Sequence, residues 1–91
     1  MSAPGGGLTL EWAKVAWEQY EWWCDNDAKV RDRINTLIDA SLTAPFTGIG
    51  KPEPLRGNLT GLWSRRITRE HRLVYEVRES RLIVLQCRYL Y

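Results

Sequence analysis

One carboxylate in this chain sits in an unusually stiff setting, Lys51-Pro52-Glu53-Pro54-Leu55, where a proline on either side of Glu53 restricts the backbone. A general base acts only when it is held to within a fraction of an ångström, so a glutamate placed this way could abstract a proton from a bound substrate. It could equally be a solvated loop acid. The second chemical theme is arginine: residues 51–91 hold nine basic side chains against four acidic ones, and eight of the nine are arginine (Arg56, Arg65, Arg66, Arg69, Arg72, Arg78, Arg81 and Arg88). The guanidinium fork suits phosphate oxygens. Arginine-rich strands also occur as ordinary solvated faces, and charge alone leaves both readings open. Residues 1–50 carry four basic and seven acidic side chains, so the net charge of +2 conceals an acidic first half and a basic second half.

Other chemistries find little support. Cys24 and Cys87 are far apart, without CxxC spacing, and His71 is the one histidine. Neither a zinc set nor a disulfide framework is expected, nor any other cofactor. No run approaches the roughly 18 apolar residues that cross a bilayer, and the N-terminus lacks the charged and apolar regions of a signal peptide. The expectation is a cytoplasmic protein with reduced thiols and no membrane contact.

The elements that must position these side chains can be read from spacing. Ninety-one residues allow one compact core. Residues 1–7, MSAPGGG, read as a flexible extension or cloning remnant, leaving 8–91 as a single domain. LTLEW reads as a first strand. From about Glu11 the stripe Trp12, Ala16, Tyr20, Trp23 indicates an amphipathic helix, broken at Cys24-Asp25-Asn26-Asp27. Asn26 or Asp27 can cap a second helix whose apolar face is Val30, Ile34, Leu37, Ile38 and Leu42. A proline- and glycine-rich loop follows from Phe46 to Gly61, with a short strand near Pro54–Arg56. Three β-rich segments, LWSRRIT, RLVYEV and RLIVLQCRY, close the chain as a meander. The order β-α-α-β-β-β-β predicts an α+β fold with two helices on one face of a twisted, mainly antiparallel sheet. The five tryptophans are expected to supply much of the core.

KPEPL (51–55), NLTGLWSRRIT (58–68), EHRLVY (70–75) and Cys87-Arg88-Tyr89, with Trp17-Glu18-Gln19-Tyr20 in the first helix, together resemble the YoeB family of bacterial toxins, within the wider RelE/ParE group. The resemblance runs from about Leu8 to Tyr91. It implies a RelE-like fold and a type II toxin: a ribosome-dependent, metal-independent endoribonuclease that cuts mRNA in the ribosomal A site. It also implies a YefM-like antitoxin as partner. A homodimer is compatible with it, through Trp22 or Trp23 if they are exposed. By resemblance Glu53 is the general base, Arg66 and Arg72 bind the scissile phosphate, and Tyr91 matches the family's terminal tyrosine. Lys51, Arg56, Arg65 and Arg88 are the expected RNA contacts.

Metal-free RNA cleavage asks for a base on the 2′-hydroxyl, positive charge on the phosphorane and an acid for the leaving 5′-oxygen. The last requirement exposes a departure. Family members usually carry a histidine before the terminal tyrosine, where this chain has Leu90, and leucine has no proton to give. Two further readings therefore stand beside the nuclease: a catalytically silent ribosome- or antitoxin-binding variant, and a ParE-like gyrase inhibitor.

Overall fold

The computed structural model describes residues 7–90. The elements are β1 (Thr9–Trp12), α1 (Lys14–Asn26), α2 (Ala28–Thr43), β2 (Glu53–Pro54), a 3-10 turn (Gly57–Leu59), β3 (Leu62–Arg66), β4 (Arg72–Arg78) and β5 (Arg81–Gln86). They form a five-stranded sheet in the order β1-β5-β4-β3-β2. β1 lies parallel to β5, and every other pairing is antiparallel. The α+β expectation holds, with one parallel strand making the sheet mixed.

Local chemistry explains most boundaries. Asp27 ends α1 and caps α2, its carboxylate accepting from the amides of Lys29 and Val30 at 3.2 Å each. Between β4 and β5 the chain reverses through Glu79-Ser80, both with positive φ, the geometry a two-residue hairpin requires. α1 starts at Lys14 rather than Glu11, because Glu11 and Trp12 pair with Ile83 and Val84 of β5. The short strand falls at Glu53–Pro54, slightly before its expected place. Gly7 already forms an isolated bridge, while residues 1–6 of the expected extension lie outside the described residues.

The core lies between the helices and one sheet face. α1 contributes Ala16 and Trp23, α2 contributes Ile34, Leu37 and Ile38, and the sheet contributes Leu73, Tyr75, Leu82 and Val84, followed by Cys87. Tryptophan supplies less of it than its abundance implies. Only Trp23 is buried; Trp12 and Trp63 pack at the margin, and Trp17 and Trp22 remain exposed at 44% and 38%. Trp12, Trp17 and Tyr20 cluster with ring centroids 4.9–5.5 Å apart, on the helix side of β1. Of the two tryptophans expected to serve a homodimer, Trp23 is thus unavailable.

Candidate active site

Strand alternation sends neighbouring residues of β3 to opposite faces. Arg65 points into the core and is fully buried. Its Nε donates to the Tyr75 hydroxyl (3.1 Å), Nη1 to the Ile49 carbonyl (2.8 Å), and Nη2 to the carbonyls of Ala44 and Thr47 (2.5 and 2.8 Å). The Tyr75 hydroxyl in turn donates to Pro45 O at 2.6 Å. The expectation that Arg65 contacts RNA is therefore corrected: its fork is used up inside the protein, binding the carbonyls of the loop that precedes Glu53.

That loop is pinned at its far end as well. Gly50 O accepts from Arg66 N–H at 2.7 Å, and its φ of +80° is one that glycine adopts without strain. A methyl group there would lie 2.7 Å from Leu37 Cδ2 and 3.2 Å from Arg65 Cβ. Beyond Gly50 the chain exposes Lys51, then enters β2, where Glu53 pairs with Ser64 and Pro54 with Trp63.

The opposite sheet face now assembles by register. Glu53 lies across from Ser64, Ser64 from Val74, and Val74 from Gln86, one row spanning four strands. In the next row Arg66 lies directly across from Arg72. Directly opposed side chains have Cβ atoms about 4.5–5.5 Å apart and diagonal ones about 7–8 Å, so Glu53, Arg66 and Arg72 share one patch. Ser64 and Val74 are buried and form its floor. Like charges opposed across a ladder are unfavourable unless an anion lies between them. Neither Arg66 nor Arg72 has a carboxylate in salt-bridge reach among the described residues, and Glu76, a conceivable partner for Arg72, pairs with Arg78 at 3.3 Å. Arg56 stands beside Glu53 on a depression of about 280 Å³ completed by Pro54, Leu55 and Leu59.

The last part of the site is the segment after β5. Pairing shifts by one residue between Val74 and Tyr75, which leaves Leu85 as the extra residue of a bulge. Regular pairing ends at Gln86, earlier than the alternation in RLIVLQCRY implies. α1 takes over from β4 in holding the chain. Cys87 N–H donates to Gln19 Oε1 (2.8 Å), Cys87 O accepts from Trp23 Nε1 (2.9 Å), and the thiol contacts Ala16 O (3.5 Å). Burial pushes that thiol up to about 12.

Arg88, expected at RNA, places its guanidinium 3.5 Å from the Trp22 ring centroid and 4.7 Å from that of Tyr89. Its Nε is buried without an acceptor among the described residues, a cost the two rings offset in part through cation–π attraction. Leu90 is 57% exposed, and Tyr91 lies outside the described residues. Sequence reasoning missed the Arg65 clamp, although alternation alone puts Arg65 and Arg66 on opposite faces. It also missed Gln19, whose contact spans 68 residues and left no local signal.

Comparison with known proteins places the chain in a family. Residues 12–91 match the family described as YoeB-like toxin of bacterial type II toxin-antitoxin system. Toxin YoeB of Escherichia coli K12 is 48% identical over 84 residues, covering 92% of this chain and 100% of that protein. The YoeB/ParE toxin from Agrobacterium tumefaciens superposes with a TM-score of 0.90 at 50% identity, over 92% of this chain and 100% of the other. The YoeB of a YoeB-YefM complex from Staphylococcus aureus gives 0.84 at 40% identity, over 92% and 98%. A family match over residues 12–91, with a fold and sequence shared at this level, makes the chain a member of the YoeB-like toxins of bacterial type II toxin-antitoxin systems.

Proposed function

We propose that this toxin is a ribosome-dependent endoribonuclease that cuts mRNA in the A site and so stops translation. The observation that carries the reading is the Arg66–Arg72 pair, opposed across β3 and β4, with Glu53 one strand away on the same face. In this reading the scissile phosphate sits between the two guanidiniums. Glu53 takes the proton of the 2′-hydroxyl, the 2′-oxygen attacks phosphorus, and the arginines bear the charge of the phosphorane. The bond to the 5′-oxygen breaks, leaving a 2′,3′-cyclic phosphate and a 5′-oxygen that must be protonated. Lys51 and Arg56, both exposed beside Glu53, guide the RNA backbone.

The weak point is the final proton. Leu90 cannot supply it, which leaves Tyr91 or solvent. A phenol of ordinary pKa about 10 is a poor donor near neutrality. This specific residue favours a second reading, in which the chain occupies the A site or its antitoxin without cutting. A YefM-like antitoxin is the proposed partner in both readings, supported by the complex formed by the Staphylococcus aureus relative. An acidic segment that folds on the Arg66–Arg72 face would quench its charge.

Primer extension on messages from translating ribosomes separates the two. The nuclease reading expects new RNA ends near the occupied A site, their loss in Glu53→Gln, and a rate about 10²–10⁴ higher in Leu90→His. Ends produced by Leu90→His alone identify the chain as a silenced variant. Translation arrest without ends from either protein, unrelieved by Glu53→Ala, makes it a binder. An effect on DNA supercoiling would instead support the gyrase alternative.

A further inference from the structure

His71 precedes β4 and faces the helices, where its ring meets Trp23 edge-on at 4.9 Å and 84°. Its Nδ1 accepts the backbone N–H of Tyr89 at 2.7 Å. Because the donor is an amide, that nitrogen must present a lone pair, and the ring proton belongs on Nε2. The Tyr89 carbonyl is held too, accepting from Arg72 N–H and from Gln86 Nε2 at 3.0 Å each. Both polar groups of the Tyr89 backbone are thereby tied to residues 71, 72 and 86. Tyr89 has a φ of +69°, a left-handed conformation that bulky residues rarely adopt unless the surroundings impose it. The chain bends there, so Leu90 leaves from a point bonded to the backbone of Arg72.

Resting on the nuclease reading, we propose that His71 is a positioning residue: its Nδ1 fixes Tyr89 and so sets where residue 90 stands relative to the phosphate held by Arg72. The adjacent pair divides the work. Arg72 turns toward the site, while His71 turns to the covered side of the sheet and holds the backbone that leads into residue 90. The imidazole gives no proton to the leaving group, since its Nδ1 is committed to an amide and its ring is packed on Trp23. A misplacement of about 1 Å is enough to slow a reaction about 10²-fold without abolishing binding.

The test uses the full chain and its Leu90→His form, each with His71→Asn or His71→Leu. The amide oxygen of asparagine reproduces the acceptor; leucine keeps bulk and removes it. Single-turnover cutting of ribosome-bound message should fall about 10- to 100-fold in His71→Leu, with ribosome affinity within about threefold, and stay within about threefold of the parent in His71→Asn. Amide exchange at Tyr89 should accelerate in the leucine variant only, with the thermal midpoint recorded to separate folding from positioning. Asparagine as damaging as leucine, with the Tyr89 amide still protected, would mean that the imidazole itself takes part in the chemistry and would overturn the proposal. Full activity in His71→Leu would overturn it as well. Failure of both the parent and Leu90→His to cut removes the nuclease reading and this role with it, an outcome distinct from either of those.

Discussion

Arg65 is charged, fully buried and bonded to four oxygens, three of them carbonyls of a single loop and the fourth the Tyr75 hydroxyl. Removing the guanidinium takes the donor away from these acceptors at buried and part-buried positions. Each orphaned group costs about 1–3 kcal/mol, and the sum is limited by relaxation of the loop. Arg65→Met should therefore lower unfolding stability by about 3 kcal/mol or more, read as a reduced urea midpoint at constant slope. Arg66→Met, on the open face, should leave that midpoint nearly unchanged while losing activity. The contrast between these neighbours was legible in the sequence as parity: in Leu62–Arg66 a residue and its successor cannot share a face. Which parity meets water was not legible, because it depends on helices packed from a distant part of the chain. The same limit misled the reading of tryptophan, whose count says nothing about which faces are covered.

The loop between α2 and β2 behaves as a strap with a clamp at one end and a glycine hinge at the other. Gly50→Ala combines a left-handed residue, costing about 1–2 kcal/mol, with a methyl group pressed on Leu37, which is itself buried and has little room to yield. We expect a loss of about 2–3 kcal/mol and a displaced Glu53, visible as cutting lost even at temperatures where circular dichroism shows the variant folded. The helices, their break at Asp27 and the order of strands were legible because capping residues and hydrophobic period are local signals. The end of β5 was not. Its alternation continues through Tyr89, yet a bulge at Leu85 and the pull of Gln19, Trp23 and His71 take the chain out of the ladder.

Across the whole molecule the two thiols report on how the core is closed. Cys24 is exposed, whereas Cys87 is buried with its pKa raised to about 12. At pH 8 a soluble disulfide reagent should label one thiol in the native protein and a second only on unfolding. A folded pKa of about 12 against 9.0 for the ordinary thiol means that the stability present below pH 9 is lost as pH rises toward 12. Tyr20, raised chiefly by burial, loses stability in the same direction. The urea midpoint should fall across that alkaline window, and fall less in Cys87→Ala. The sheet order carries a different consequence, one of timing. β1 is the first strand to be synthesised and its neighbour β5 the last, so the sheet and the core under α1 cannot close until residues 81–87 have been made. Contacts between such distant segments form slowly. A nascent chain that ends before residue 81 thus carries two helices whose apolar stripe still lacks Leu82, Val84 and Cys87 to pack against, so the last strand to be made is the one that closes the core.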